Sequence, residues 1–489
     1  MQHSFTGLHF SFYDIYKPPT MKPRFTTLLS LLLVLLPAAL RAQSPAGIWD
    51  GTLSFAGSSL PLTIRITETP DGYAATLESP DQGLRGLPAD SVDFRNPDLA
   101  IAFDALHARY RGALMPGGMV MGVFHQNGQD FPLLLKNRPA TIRSQEPQPP
   151  YPYICREVSF PSRAGGVELN GTLTLPAEGA PRAAVILVTG SGLQNRDEEI
   201  LGHKPFLVIA DHLTRCGYAV LRYDDRGFGA PEPEQHRLLD NATTDDFTLD
   251  ALGAFDYLAA LRDTTACPVG ILGHSEGGTI AFAAAAREPR VDFIVSMAGL
   301  AVRGDRASLG QNRRLMELQG LDKALTEDCC TLLEAVYAEI RSHTREELAA
   351  ESAELKMRLT AREPAASLPQ PIRENLLQLL DGAAANAWVY HFLTCDPAEA
   401  IAAAGNRPVL AINGTLDRQV DAGENLGAIC RLLAQSPALT VKAFEGLNHL
   451  FQPCTTGDAA EYERIETTIA PEVLDMLTAW LDHLTDSRS

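Results

Sequence analysis

The stretch Val269-Gly-Ile-Leu-Gly-His-Ser-Glu-Gly-Gly-Thr-Ile-Ala281 decides the fold. Its first five residues are typical of a buried strand and its last five of a helix built from small residues, so the segment between them turns sharply. Such a turn holds its central residue, Ser275, in a strained backbone conformation that requires small neighbours, and Gly273 and Gly277 meet that requirement. The pattern predicts a nucleophile elbow with Ser275 as nucleophile, rather than a serine in an ordinary strand-to-helix turn.

A serine nucleophile needs a general base and a carboxylate that orients the base, and candidates for both follow downstream. One predicted strand ends in Gly414-Thr-Leu-Asp417, and the next ends in Glu445-Gly-Leu-Asn-His449. Carboxyl ends of neighbouring parallel strands meet at one edge of a sheet, the edge at which Ser275 emerges. We therefore predict His449 as the base and Asp417 as the acid. The rivals for these roles are Asp421, His391 and His483.

Two backbone N–H groups must face the oxygen of a tetrahedral intermediate. One is predicted to come from Glu276, directly after the nucleophile. The other is predicted to come from the loop Thr189-Gly-Ser-Gly-Leu193, where two glycines allow the backbone to approach closely; Ser191 is the first candidate and Gly192 the next. A phosphate-binding loop is disfavoured, because neither a Gly-Lys-Ser/Thr sequence nor a dinucleotide fingerprint follows.

The rest of the chain divides by pattern. Residues 43–140 contain short alternating strands separated by Gly, Pro and Asp turns, which predict a small β-barrel or β-sandwich domain. A Pro-rich linker is predicted over residues 141–154. Over residues 155–489 strands alternate with helices, which predicts a mainly parallel sheet covered on both faces. Between residues 298 and 407 only helical patterns occur, and we interpret this insertion as a cap over the site rather than a passive insertion at the edge of the domain.

Residues 1–42 are predicted to be a leader with a signal peptide. Met21-Lys-Pro-Arg24 is a basic start, an apolar run follows, and Leu40-Arg-Ala42 offers a cleavage site before Gln43. The apolar run is short for a membrane span, so an uncleaved anchor is the weaker alternative. Met21 is a candidate true start. We expect the mature chain to be exported, to the periplasm or the medium, without stable membrane insertion.

The charge and the cysteines limit partners and cofactors. A net charge of −19 disfavours nucleic acid and anionic membranes, because both repel an acidic protein. In an exported protein the eight cysteines can form disulfides, but they allow so many pairings that the sequence does not identify one. None lies at a spacing that suits zinc, so neither a metal nor an organic cofactor is expected. The oligomeric state stays open.

At these residues the chain resembles the α/β-hydrolase superfamily, and within it the bacterial carboxylesterases related to serine aminopeptidases. The motifs that carry the resemblance are Val188-Thr-Gly-Ser-Gly-Leu-Gln-Asn-Arg-Asp197, Asp224-Asp-Arg-Gly-Phe-Gly229, Gly273-His-Ser-Glu-Gly-Gly278, Gly414-Thr-Leu-Asp417 and Gly446-Leu-Asn-His449. The resemblance implies an α/β-hydrolase fold, a triad of Ser275, Asp417 and His449, and carboxylic esters as substrates. In the loop that begins at Thr189, this chain has Thr189-Gly190 where the family commonly has His-Gly. This difference affects the prediction of the oxyanion donor and not that of the triad.

The predicted function is hydrolysis of short- to medium-chain carboxylic esters, small-molecule substrates, through an acyl-enzyme. An aminopeptidase or thioesterase with the same triad is the second hypothesis, and an aminopeptidase would need an acidic site for the substrate amine. The candidates for that site in the cap are Glu351, Glu354 and Asp381. The third hypothesis is a non-catalytic surface-binding protein with an aromatic platform on the β domain. That platform would use Trp49, Tyr73, Phe94 and Tyr110, which the alternating pattern more simply assigns to the strand core.

Overall fold

The structure, a computed structural model, describes residues 44–55, 58–69, 72–79, 84–115, 117–138, 143–265 and 267–486. The predicted leader, with Met21 and the cleavage site before Gln43, lies outside the described residues. The chain forms two compact units, and the second begins at Arg143 in the described sequence. Over the part that the structure describes, no helix is both long enough and apolar enough to cross a membrane.

The first unit is one antiparallel sheet of nine strands. The strands are β1 (Gly47–Phe55), β2 (Ser58–Thr69), β3 (Gly72–Ser79), β4 (Leu84–Pro88), β5 (Ser91–Arg95), β6 (Asp98–Phe103), β7 (Ala108–Met115), β8 (Met119–Gln126) and β9 (Gln129–Arg138). Their order in the sheet is β4-β3-β2-β1-β9-β8-β7-β6-β5. The two edge strands are consecutive in the chain. In the short segment of chain that joins β4 to β5, the Ala89 N–H donates to the carbonyl of Ala75 in β3, and the Asp90 N–H donates to the carbonyl of Ala102 in β6. The sheet thus curls on itself, as in a barrel, rather than forming the two sheets of a sandwich.

The inner face of this sheet holds a single apolar core. Trp49 and Tyr110 are buried in it, and their polar atoms are bonded to backbone: the Trp49 indole N–H donates to Pro45 O (2.8 Å), and the Tyr110 hydroxyl donates to Val120 O (3.1 Å). Neither residue is therefore available for a surface platform. The sequence patterns did not indicate β4 and β5, which have only five residues each.

The second unit is built on an eight-stranded sheet. The strands are β10 (Tyr153–Pro161), β11 (Glu168–Pro176), β12 (Ala184–Val188), β13 (Ala219–Tyr223), β14 (Val269–His274), β15 (Phe293–Met297), β16 (Val409–Gly414) and β17 (Leu439–Phe444). Their order is β10-β11-β13-β12-β14-β15-β16-β17. The first two strands pair antiparallel, and from β13 onward every pair is parallel. Strands β12 to β16 are buried along their whole length, because helices cover both faces of the sheet.

The helices of this unit cover the sheet and form the cap. They are α1 (Pro205–Arg215), α2 (Glu232–Leu239), α3 (Thr244–Thr265), α4 (Glu276–Arg287), α5 (Gly304–Leu318), α6 (Lys323–Ser342), α7 (Arg345–Thr360), α8 (Gln370–Ala385), α9 (Ala387–Thr394), α10 (Ala398–Ala402), α11 (Ala422–Leu432), α12 (Ala459–Tyr462) and α13 (Pro471–Asp486). Helices α3, α4 and α11 pack on one face of the sheet, and α1 and α13 pack on the other. This arrangement confirms the predicted α/β fold.

The insertion between β15 and β16 is helical, as predicted, and consists of α5 to α10. It has an apolar core of its own, to which α6, α7 and α8 contribute most of the buried residues. Helix α7 begins with a capping box in which Thr344 and Glu347 bond each other's backbone N–H groups. Helices α9 and α10 were not indicated by the sequence patterns, because each spans at most two turns.

Part of the predicted linker is bound to the second unit. The Arg143 guanidinium donates to the carbonyls of Ile465 (2.7 Å) and Glu463 (2.5 Å), and the Gln145 side chain donates to Ile469 O (2.7 Å). From Arg143 onward this segment is therefore held on the sheet unit rather than acting as a free spacer. The cysteines present as thiols include Cys155, Cys216, Cys329, Cys330, Cys395, Cys430 and Cys454.

Candidate active site

The turn between β14 and α4 has the geometry of a nucleophile elbow. Ser275 adopts φ 55° and ψ −122°, a conformation that side-chain-bearing residues rarely take, and its N–H donates to Met297 O (2.9 Å). A Cβ atom at Gly273 would overlap the carbonyl of Gly277, and one at Gly277 would overlap the carbonyl of Val188. The glycines on either side of Ser275 are therefore required by the close approach of backbone to backbone.

Replacement of Gly277 by Ala is expected to lower the free energy of unfolding by about 3 kcal/mol or more, because the new methyl group meets backbone that cannot move aside. Urea unfolding followed by circular dichroism measures this. The matched control is Gly382→Ala in α8, where an added Cβ meets nothing within 4 Å and the change should be neutral or stabilising by up to about 1 kcal/mol. Equal effects of the two substitutions would contradict the steric argument.

The structure brings His449 and Asp417 together. His449 Nδ1 lies 2.7 Å from Asp417 Oδ2, and both side chains are buried. The other oxygen of Asp417 accepts the N–H groups of Gln419 and Val420, each at 2.8 Å. These bonds fix the carboxylate, so it can hold the Nδ1–H tautomer of His449 and leave Nε2 free to take a proton.

The two loops that carry this pair are bonded to each other. Leu416 N–H donates to Leu447 O (2.9 Å), and a Cβ at Gly414 would overlap that same carbonyl. The loop of His449 is shaped by Asn448, whose side-chain oxygen accepts the N–H groups of Leu450 (3.0 Å) and Gln452 (2.9 Å). The pair is thus positioned by short-range backbone contacts at the ends of β16 and β17.

The rival residues lie elsewhere in the second unit. Asp421 caps the N-terminus of α11, where it accepts the Glu424 N–H at 2.7 Å. His391 lies in the cap helix α9, and His483 lies in the terminal helix α13. Among the described residues, the carboxylate bonded to His449 is Asp417.

The elbow and the predicted oxyanion loop are in contact. A Cβ at Gly190 would lie 3.1 Å from Ser275 Cβ, so this loop passes directly beside the nucleophile. The Gly190 N–H is already bonded to Glu198 Oε1 (2.8 Å), whereas Ser191 and Gly192 are exposed. The backbone N–H of Glu276, at the first position of α4, has no intrahelical acceptor. Ser275 itself is partly exposed, and within the described residues no hydrogen bond of its Oγ atom is found.

The side chain of Glu276 connects the elbow to the cap. The carboxylate is buried and accepts the Thr244 hydroxyl (2.6 Å) and the indole N–H of Trp388 in α9 (2.9 Å). Trp388 stacks on Phe392 in the same helix, with 5.2 Å between ring centroids. This link could not be predicted from the sequence, because nothing in a single tryptophan indicates which distant carboxylate it will meet.

Two clefts flank the elbow, and Glu276 lines both. One is lined by the predicted oxyanion loop at Gly190 and Gly192, by apolar residues such as Phe247, and by carboxylates. The other lies between α4 and the cap. Its lining residues are Thr244, Glu276, Thr279, Leu300, Val302, Gly304, Phe392, Cys395 and Pro397. Among the described residues, no group of three or more His, Cys, Asp or Glu side chains forms a metal site.

Comparisons with known proteins agree with this architecture. The profile of the family described as serine aminopeptidase, S33, matches residues 180–452, more than half of the chain. Esterase EstD of Thermotoga maritima is 34% identical over 130 residues, 27% of this chain and 30% of that protein. A Mycobacterium tuberculosis protein that carries the name of a phosphoribosyl transferase is 35% identical over 146 residues, 28% of each chain. The chain thus aligns with less than a third of the length of these relatives.

The likeness to solved structures extends over more of the chain but is weaker. An esterase of Pyrococcus furiosus has 13% identity and a TM-score of 0.40, covering 68% of this chain and 91% of that one. A thermophilic esterase from Thermogutta terrifontis has 20% identity and a TM-score of 0.38, covering 68% and 99%. Neither value indicates an activity. The family profile, by contrast, spans the predicted oxyanion loop, the elbow and the loop of His449, and the chain therefore belongs to the serine aminopeptidase S33 family of α/β hydrolases.

Proposed function

We propose that this chain is a serine carboxylesterase that hydrolyses short- to medium-chain carboxylic esters through an acyl-enzyme. The observation that carries the proposal is the buried 2.7 Å contact between His449 Nδ1 and Asp417 Oδ2, on loops at the same sheet edge as the elbow of Ser275. A histidine held in this way is a general base for a hydroxyl. Family membership supports hydrolysis as the reaction class.

In the proposed reaction the Ser275 hydroxyl attacks the ester carbonyl and its proton passes to His449 Nε2. The carbonyl oxygen becomes an oxyanion, which the N–H groups of Glu276 and of Ser191 or Gly192 stabilise. As the C–O bond breaks, His449 returns the proton to the alcohol, and Ser275 is left acylated. A water molecule then attacks the acyl-enzyme with His449 again as base, releasing the acid and restoring the hydroxyl. Neither step needs a metal or an organic cofactor.

The lining of one cleft supports an apolar acyl group. The cleft between α4 and the cap combines apolar residues such as Leu300 and Phe392 with the single carboxylate of Glu276. An alkyl chain of a few carbons suits that lining better than a charged group does.

The carboxylates near the elbow argue against an aminopeptidase. Asp250 is bound by Arg226 (2.7 Å), and Glu276 is bound by Trp388. Burial raises the pKa of Asp225 to about 8, so at neutral pH that group is mostly uncharged. At Glu276 a substrate ammonium group would have to compete with the Thr244 and Trp388 donors.

The cap carboxylates do not fill that role either. Asp381 is about half exposed and is bonded to Lys356 and Ser352, and Glu351 is also about half exposed. Such groups on a solvated helix surface hold a substrate amine only weakly.

A substrate panel tests the proposal. Initial rates are compared for p-nitrophenyl acetate, butyrate, octanoate and palmitate, for aminoacyl p-nitroanilides, and for an acyl thioester. We expect kcat/KM to be highest for acetate or butyrate and at least 100-fold lower for the anilides. Anilide or thioester hydrolysis that equals or exceeds ester hydrolysis would make the chain an aminopeptidase or thioesterase. Absence of turnover together with absence of labelling by a fluorophosphonate would favour the non-catalytic alternative.

We also propose export of the mature chain, which rests on the basic and apolar pattern of residues 21–42. Expression of the full chain in a Gram-negative host should give a periplasmic protein whose N-terminus is Gln43. Edman sequencing or intact mass of the fractionated protein measures this. A full-length chain in the membrane fraction would instead indicate an uncleaved anchor.

A further inference from the structure

A second histidine–carboxylate pair lies next to the predicted nucleophile. His274 Nδ1 lies 2.9 Å from Glu198 Oε1, and His274 Nε2 lies 2.9 Å from the carbonyl oxygen of His449. The same Glu198 oxygen accepts the N–H of Gly190 in the oxyanion loop (2.8 Å). His274 and Glu198 are both buried, so these bonds are shielded from water.

The partners of His274 determine its proton count. A carbonyl oxygen can only accept, so Nε2 carries a hydrogen. Nδ1 faces Glu198 Oε1 at 2.9 Å, and a carboxylate oxygen can also only accept, so Nδ1 carries a second hydrogen. Of the Glu198 oxygens, Oε2 is buried without a hydrogen-bond partner among the described residues, which a carboxylate tolerates only beside a compensating cation. The pair is therefore an imidazolium and a carboxylate, neutral overall.

We infer that Glu198 and His274 form a positioning pair that holds the oxyanion loop and the backbone of His449 in register with Ser275, and that this pair requires a protonated His274. The inference rests on the proposed esterase function. Glu198 reaches the loop after β12, His274 ends β14, and His449 follows β17, so three strand ends are joined by one chain of hydrogen bonds.

Loss of the His274 proton breaks this chain. A neutral imidazole has one N–H, so it can bond Glu198 or the His449 carbonyl but not both. Either choice places a nitrogen lone pair against an acceptor at 2.9 Å and loosens one of the two loops. Since the catalytic geometry tolerates errors of well under 1 Å, turnover should fall as His274 loses its proton.

The groups around His274 favour the charged form on balance. Burial is the largest single influence and opposes the charge, but the Glu198 carboxylate, the His449 carbonyl and Asp417 together outweigh burial and raise the pKa of His274. The His449 ring faces His274 at 4.7 Å, and Phe451 faces it at 6.4 Å. Asp225, which follows β13, is a further carboxyl group that interacts electrostatically with Glu198.

Because the pKa of His274 is raised, activity that depends on its proton should be lost at high pH and not at low pH. A group with a raised pKa stays protonated through its ordinary value of about 6.5 and loses its proton only at higher pH. Deprotonation of His274 should set the alkaline limb of the activity profile, at a pH above 6.5.

The test is the pH profile of kcat and KM for p-nitrophenyl butyrate between pH 5 and 10, on the wild type, Glu198→Gln and His274→Asn. For Glu198→Gln we expect kcat at pH 8 to fall at least tenfold, KM to change less than threefold, and the alkaline limb to move at least one pH unit toward acid. His274→Asn cannot titrate, so its alkaline limb should disappear while kcat is reduced at every pH. A purely structural role would lower kcat without moving the limb.

Controls separate this inference from the esterase proposal. Labelling of Ser275 by a fluorophosphonate and the melting temperature are measured for each variant. A wild type that is not labelled removes the esterase proposal. A wild type that is labelled, with variants that keep its alkaline limb, overturns only the positioning pair. If both variants fail to fold, the wild-type profile decides: an alkaline limb above pH 6.5 supports the pair, and constant activity up to pH 10 overturns it.

Discussion

Substitution of Ser275 by Ala is expected to lower kcat for a p-nitrophenyl ester by about 10⁵-fold or more, the size of loss that follows when a serine hydrolase loses its nucleophile. Alanine removes the only atom that can form the acyl-enzyme, and the bound ester is left to attack by water. The fold should persist, because the Ser275 side chain makes no hydrogen bond in the described structure. The measurement is kcat on the purified variant, with the melting temperature as a check on folding.

The matched control for this experiment is Ser342→Ala, an exposed serine at the end of α6 in the cap. It should keep wild-type kcat within twofold and still be labelled at Ser275 by a fluorophosphonate. A Ser275→Ala protein that retains more than a hundredth of wild-type turnover would show that another group is the nucleophile.

Substitution of Asp417 by Asn is expected to lower kcat by about 10⁴-fold, with KM nearly unchanged. The amide is close in size to the carboxylate and can still accept the N–H groups of Gln419 and Val420, so the loop should keep its shape. It cannot hold His449 in the Nδ1–H tautomer, however, and it cannot stabilise the imidazolium that forms during the reaction. Steady-state kinetics with short-chain esters measure the effect.

Asp421→Asn is the matched control, four residues further along the chain. Asn is as good an N-terminal helix cap as Asp, so α11 should keep its cap and kcat should change less than threefold. A large loss in Asp421→Asn together with a small loss in Asp417→Asn would transfer the acid role to the rival residue.

The parts of this molecule that the sequence predicts well are those set by local pattern. The elbow is one of them, because a buried strand, a serine between glycines and a helix of small residues leave few other conformations for Ser275. Asp417 and His449 follow from strand order, since residues just beyond the carboxyl ends of adjacent parallel strands must be neighbours. The α/β-hydrolase fold could therefore be predicted from the sequence.

The residues that the sequence did not single out depend on contacts between distant segments. Glu198 lies in a charged run and adopts φ 52°, and no composition rule indicates that it turns inward to His274. His274 itself stands in the motif at a position where many residue types are allowed. Trp388 belongs to a short apolar helix whose pattern does not distinguish a core face from a contact with the elbow. Such contacts become visible only when tertiary structure fixes which loops meet.

The bond from Trp388 to Glu276 has a consequence for protein engineering. Trp388 in the cap donates a hydrogen bond to the side chain of Glu276, and the backbone N–H of Glu276 is the predicted oxyanion donor. The cap is therefore not an independent module that can be exchanged to change substrate range. A transplanted cap without a donor at this point would leave the buried Glu276 carboxylate with the Thr244 hydroxyl but without the Trp388 indole, and the chimera would lose catalytic rate along with its original selectivity. Grafts that keep residues 387–394 and vary α6 to α8 should recover function more often than whole-cap exchanges.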